Sequence, residues 1–229
     1  VLTEFNKSYE IIEANTDKLI LECFRLRHKS YYKESGINTE NSNRFSLEFD
    51  KDDMRSVHYL ILHRGRHEYA ATIRVILPDE ENPDKQFPLE QFLQVDHEKH
   101  PDLKNRLTMA EASRVCVLDE YKNTATNCLS KYPWLLLLAL LACSVKTAQQ
   151  CGKKYLLVAS NKVMFRFCNS MGMNFVPVSN PVRFTSGLPR FANLVDIDSA
   201  LASMALKNPE VSDYFNAIIK QTPYHDAYQ

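Results

Sequence analysis

The chain has 229 residues, 45% hydrophobic and 24% charged, with 28 basic and 28 acidic side chains and no formal net charge. That length suits one domain with extensions, large enough to bury a core without a disulfide framework. The balanced charge gives no sign of a nucleic-acid groove or a membrane-binding face, although a local patch of either sign stays open.

Asn15 or Thr16 is placed to cap a helix that runs to about Ser35 and ends at Gly36. Its apolar residues Leu19, Ile20, Cys23, Phe24 and Leu26 follow helical spacing. After a polar stretch, Val57–His63 and Tyr69–Leu77 read as an antiparallel hairpin turning at Arg64-Gly65-Arg66. His63 and His67 flank that turn and are expected as exposed turn histidines rather than metal ligands. Residues 78–110 form a long connection, with a short helix over Leu89–Leu93; a connection this long in a compact domain is usually functional or wrongly assigned. Ser113–Leu118 reads as a strand, Pro133 opens a helix ending near Gly152, and Tyr155–Ala159 is a buried strand. Asn161 caps the next helix, which stops at Gly172; Phe175–Val178 is a further strand, and Asp196 and Asn208-Pro209 start two C-terminal helices. This order predicts an α/β (α+β) fold: a mixed central sheet flanked by helices over residues 1–190, with a C-terminal helical extension over 191–229 packed on the same domain. The apolar run Pro133–Val145 is shorter than the ~20 residues of a membrane span and reads as a buried helix. No signal peptide is visible. The six cysteines, Cys23, Cys116, Cys128, Cys143, Cys151 and Cys168, form no CxxC pair, so a cytoplasmic protein with reduced thiols and no metal site is expected.

Four clusters carry charge where chemistry could use it. Arg27 and Tyr31 are i, i+4 neighbours on the first helix. Glu48-Phe49-Asp50-Lys51-Asp52-Asp53 holds four carboxylates, which suit either an acidic surface loop or an anchor for arginines. Arg74 interrupts an apolar strand and needs water, a pocket or an acid. Glu111-Ala112-Ser113-Arg114 enters a strand, where strict alternation puts Glu111 with Ser113 on one face and Ala112 with Arg114 on the other. A carboxylate there can take a proton from an amine or serve as a partner for an arginine.

The order of these residues resembles a known superfamily. Glu48, Asp50, Asp53, His58, Arg74, Glu111, Ser113 and Arg114, with Phe24, Arg25 and Arg27 upstream, are similar to the pattern of acyl-homoserine lactone synthases. They are closer still to N-acyl amino acid synthases and exosortase-associated bacterial acyltransferases, all with the N-acyltransferase (GNAT) fold. The later run Leu156-Leu157-Val158-Ala159-Ser160-Asn161, followed by Met171-Gly172-Met173, resembles a second motif of that superfamily.

The resemblance implies transfer of a fatty acyl group from an acyl carrier protein, through its phosphopantetheine thioester, to the amine of an amino acid or similar small molecule. No permanently bound cofactor is implied. In that reading Glu111, Arg114 and Arg74 are catalytic, with Glu111 as general base. Arg27, Tyr31, Asp50, Asp53, Ser113, Val115, Cys116, Val117 and Asn161 bind substrate, and Leu156, Val158, Leu137 and Leu141 line the acyl pocket. Two departures refine it. The usual coenzyme A loop exposes glycine N–H groups to a pyrophosphate, whereas Asp119-Glu120-Tyr121-Lys122-Asn123-Thr124 has no glycine and two acids, which favours a carrier-protein donor. The tryptophan of lactone synthases is replaced near Ile37, which disfavours S-adenosylmethionine as acceptor. A lactone synthase remains the alternative enzyme, and a non-catalytic carrier-binding module the alternative of another class. Lys122, Lys153, Lys154, Lys162 and Arg166 flank the expected thioester entrance and are candidates for docking an acidic carrier.

Overall fold

The structure, a computed structural model, describes residues 2–34, 46–122, 134–183 and 188–221. Its centre is a seven-stranded sheet in the order β1-β2-β3-β4-β5-β7-β6. The strands are β1 (Tyr9–Glu13), β2 (Ser56–His63), β3 (Glu68–Ile76), β4 (Met109–Val117), β5 (Tyr155–Asn161), β6 (Val176–Pro177) and β7 (Arg190–Asp196). Neighbours are antiparallel except β4 and β5, which run parallel. The helices are α1 (Leu2–Ser8), α2 (Asp17–His28), α3 (Pro88–Leu93), α4 (Asp119–Lys122), α5 (Leu135–Gln150), α6 (Lys162–Ser170), α7 (Ile197–Lys207) and α8 (Pro209–Lys220).

The expected caps are used. Thr16 Oγ1 accepts from Leu19 N–H at the start of α2, Asn161 Oδ1 takes Val163 and Met164 N–H at the start of α6, and Asp196 Oδ1 takes Ser199 N–H at the start of α7. Beyond His28, α2 widens into a π-helical stretch, Lys29–Glu34; its expected end at Ser35–Gly36 lies outside the described residues. Strand alternation separates two helical layers. Tyr59 reaches Thr147 of α5 on one face of the sheet, while its neighbour His58 meets Phe24 of α2 on the other.

The apolar run read as a buried helix is α5. It is buried on nearly every side because the sheet covers one face and α8 covers another. Among the described residues no helix is long and apolar enough to cross a membrane. Cys23, Cys116, Cys143 and Cys168 are buried and free, and Cys151 is exposed and free; Cys128 lies outside the described residues.

Several features depart from expectation. Strand β1 pairs at the sheet edge through only five residues, too short for its alternation to stand out. Strand β7 opens the stretch after residue 190 and inserts between β5 and β6, so that stretch is not purely helical. Asn193 breaks its apolar pattern, yet its amide donates to Val158 O and Ser160 Oγ inside the sheet. His63 is not a free turn residue: its ring packs against Tyr9 and Tyr121.

Gly172 fixes the exit from α6. It sits at φ +95°, and a Cβ there would fall 2.8 Å from the Cα of Met204 in α7. Gly172→Ala combines a left-handed backbone with a clash against main chain, so a loss of more than ~1 kcal/mol is expected. An unchanged thermal midpoint would show that α7 yields at this contact.

Candidate active site

Three arginines and three carboxylates meet where α2, the 48–53 loop, β3 and β4 converge. Asp50 caps the 3-10 turn Lys51–Arg55, which turns Asp53 inward. Arg27 donates to both oxygens of Asp53 at 2.9 and 2.8 Å, and lies 2.7 Å from Glu48 Oε2. Arg74 Nη1 reaches Asp50 at 2.6 Å and Asp53 at 3.0 Å, and its Nε donates to Ser113 Oγ at 3.3 Å. Arg114 spans Glu48 at 2.8 Å and Asp50 at 2.9 Å. The acidic run is therefore an arginine anchor rather than a surface loop. Arg25 is outside it, paired with Glu22 on the exposed side of α2.

A cluster this buried is stable only because charge and hydrogen bonds balance within it. Burial pushes the Asp53 carboxyl up, but the Arg27 hydrogen bond and the charges of Arg27 and Arg74 outweigh that and hold it well below the usual carboxylate range. His58 lies beside it, pushed down to about 4 by burial, with the Arg27 and Arg74 charges acting the same way, so its ring is neutral at pH 7.

The predicted alternation along β4 fails at Arg114. Arg74 pairs with Ser113 and Thr72 with Cys116, so Arg114 and Val115 together oppose the single residue Ile73. This is a β-bulge, and Arg114 occupies it at φ 53°. Left-handed backbone at a non-glycine residue costs roughly 1–3 kcal/mol, which the two ion pairs of Arg114 offset. The bulge turns Arg114 toward Glu48 and Asp50, the carboxylates around Arg74. It also puts Cys116, not Val115, on the Ser113 face, where the Cys116 thiol and the Tyr31 hydroxyl are hydrogen-bonded neighbours. Val115 and Val117 pack, half-buried, against the main core.

The bulge coincides with a gap. Strands β4 and β5 pair from Met109↔Tyr155 to Ala112↔Val158 and then part. Beyond that point β4 continues beside β3 and β5 beside β7. Among the described residues the backbone edges facing each other across the gap have no strand partner, and an extended arm could lie between them.

Glu111 stands one residue before the gap. It is 2% exposed, and its Oε2 accepts Leu89 N–H at 2.8 Å. Burial pushes its carboxyl up to about 7, although Leu89 N–H, the charges of Arg74 and Arg114, and Ser113 pull the other way. At neutral pH such a group exchanges a proton readily, as a general base must. Nothing in the sequence marks Leu89, since what it supplies is a backbone N–H. The long connection delivers it: Phe87, Leu89, Leu93 and Leu103 form a second small core with Ile76 and Met109 of the sheet.

The remaining expected residues divide. Asn161 Oδ1 is committed to the α6 cap. Leu141, Leu156 and Val158 line one apolar cavity with Met173, Phe175 and Val195; Leu137 is buried in the same core but does not line it. That cavity is a slit of about 10 Å³, room for about one water, so a long acyl chain enters only if side chains rearrange. After Leu118 the acids do not stand free: Glu120 pairs with Lys29 at 3.0 Å, and α4 replaces a glycine turn. Among the described residues no group of three His, Cys, Asp or Glu is placed to hold a metal.

The sheet with its parted parallel strands, and the helices on both faces, form a GNAT-like architecture. Residues 26–130 match the family described as acetyltransferase (GNAT) domain. Several solved structures share the architecture. TofI, crystallised in a ternary complex with an inhibitor and MTA, is 19% identical with a TM-score of 0.63, over 89% of this chain and 99% of that one. FeeM, an N-acyl amino acid synthase from uncultured soil microbes, is 14% identical with a TM-score of 0.60, over 87% and 96%. BjaI, a CoA-dependent acyl-homoserine lactone synthase bound to SAM and isopentyl-CoA, is 17% identical with a TM-score of 0.60, over 92% and 98%. No curated protein matches in sequence.

Proposed function

We propose that the protein is an N-acyltransferase that moves a long-chain acyl group from an acyl carrier protein to the amine of an amino acid or similar small molecule. The observation that carries this reading is Glu111: a buried carboxyl, pushed up to about 7, beside the point where β4 and β5 part. The thioester arm lies in the gap. Glu111 accepts a proton from the attacking amine, directly or through one water. The nitrogen forms a bond to the acyl carbon, and backbone N–H groups of β4 between Arg114 and Val117 steady the oxyanion. The C–S bond then breaks, and the thiolate takes up a proton, leaving an amide and the free carrier thiol. Arg74 and Arg114, fixed by Asp50, Asp53 and Glu48, hold the charge environment of Glu111. The fold shared with FeeM supports an amino acid as acceptor.

BjaI, described as CoA-dependent, shows that the fold itself accommodates CoA donors. The choice of carrier protein therefore rests on the stretch after Leu118, where α4 offers no glycine N–H groups to a pyrophosphate. Turnover of long-chain acyl carrier protein should far exceed that of acetyl-CoA at equal concentration; comparable rates would overturn the donor assignment. S-adenosylmethionine included among the acceptors tests the lactone synthase reading in the same assay.

Docking of an acidic carrier is expected on α6. Lys162 and Arg166 are exposed at i, i+4 spacing beside the end of β5, whereas Lys154 is engaged by Asp196 and the Tyr155 ring. Exposed charges are screened beyond about 8–10 Å at moderate salt. Reversing both charges, Lys162→Glu with Arg166→Glu, should weaken carrier binding and flatten its salt dependence, mainly through slower association. Parent-like binding across a salt series would place the docking surface elsewhere.

A further inference from the structure

A second charged cluster lies outside the arginine–carboxylate site, and nothing in the reaction proposed above uses it. Glu90 follows Leu89 in α3 and is 3% exposed. Its Oε2 accepts Phe87 N–H at 2.7 Å, so the side chain closes the first turn of α3 on itself. Arg106 then grips the same carboxylate, with Nε 3.1 and 3.0 Å from its two oxygens and Nη2 2.9 Å from Oε1. His97 Nε2 completes the set at 3.2 Å. A buried carboxylate gripped in this way has a fixed position, because losing Arg106 leaves its charge uncompensated.

The position matters because of what lies on either side. Arg106 belongs to the 3-10 turn Arg106–Thr108, directly before β4, and Glu111 follows within β4. Two rungs therefore join α3 to the start of β4: Glu90 to Arg106, and Leu89 N–H to Glu111. The first rung sets the distance across which the second forms. We infer that Glu90 and Arg106, with His97, are positioning residues that hold the Leu89 N–H against the Glu111 carboxylate and so set the proton affinity of that carboxylate. The groups facing Glu111 are Arg74 from β3, Ser113 and Arg114 from β4, and Leu89 N–H from α3. The first three are held by the arginine–carboxylate site, so α3 is the one support that this second cluster controls. The inference rests on the reading of Glu111 as proton acceptor where it concerns rate, and on geometry alone where it concerns the titration of Glu111.

The test separates the two. The protein is prepared with carboxyl-¹³C glutamate, the Glu111 signal is assigned by its loss in Glu111→Gln, and its titration is followed by NMR in the parent, Arg106→Met and Arg106→Lys. In Arg106→Met the Leu89 N–H loosens and the Glu111 midpoint should rise by about one pH unit, the size expected for weakening one hydrogen bond to a charged group. Arg106→Lys keeps the charge and should bring the midpoint most of the way back to the parent value. If the base reading also holds, the acid limb of kcat/KM moves by the same amount, lowering kcat/KM about fivefold at pH 7 with less change in KM. A Glu111 midpoint that stays put in folded Arg106→Met overturns the inference. A midpoint that moves while the rate limb does not leaves the positioning role standing and refutes Glu111 as base. Should Arg106→Met fail to fold, His97→Ala removes the more exposed partner, and an unmoved midpoint there overturns the inference equally.

Discussion

Glu111→Gln is expected to fold and to lose about 10²–10⁴-fold in kcat, the contribution of a positioned general base. The acid limb near pH 7 should vanish with it. Stability gives an independent sign. A carboxyl raised from 4.5 to about 7 in the folded state binds a proton there that the unfolded chain has released. Its stabilising effect is full below pH 4.5 and is lost as pH rises through 7. Gln carries no such penalty, so the variant should gain on the parent by about 3 kcal/mol between pH 4 and pH 8, at about 1.4 kcal/mol for each pH unit that separates the folded and unfolded midpoints. Urea unfolding at both pH values checks this. Unaltered kinetics in a folded variant would make Glu111 structural.

Asp53→Asn should cost about 3–5 kcal/mol at pH 7, because it leaves Arg27 and Arg74 buried without their shared counter-charge. Arg25→Ala, on the exposed side of the same helix, should stay within ~0.5 kcal/mol and serves as the control. Asp50 and Asp53 are both held below the ordinary carboxylate value. Their contribution is therefore present above about pH 4 and lost as pH falls through the folded values. Denaturant titrations at pH 7 and pH 3 should show the gap between parent and Asp53→Asn closing in acid. A constant gap would mean that packing, not charge, sets the cost.

Much of the site is legible in the sequence because its residues recur in a fixed order. Arg27, Glu48, Asp50, Asp53, Arg74, Ser113 and Arg114 are expected near one another, and they meet, while the fourth acid, Asp52, pairs with Arg55 instead. Local rules serve the caps of α2, α6 and α7 equally well, since a cap depends on neighbours three residues away. What escapes is non-local. Strict alternation misplaces Arg114 because a bulge is set by the register between β3 and β4, not by β4 alone. Strand β7 is hidden by Asn193, whose partners lie on β5. Leu89 acts through its backbone, which no side-chain pattern reports, and Glu90 and Arg106 are joined only by the folding of the long connection. Leu137 groups with Leu141 by helix membership, but only Leu141 faces the cavity beside Leu156 and Val158.

The most direct test of the account follows the acyl group itself. The protein is mixed with acyl carrier protein bearing a ¹³C-carbonyl long-chain acyl group and with a panel of ¹⁵N-labelled amino acids, and products are read by mass. The account predicts an amide carrying both labels, formed with release of one carrier thiol per amide and slowed about 10²-fold or more in Glu111→Gln. Hydrolysis to free fatty acid alone, or no product from any acceptor in protein that still binds the carrier, would contradict it.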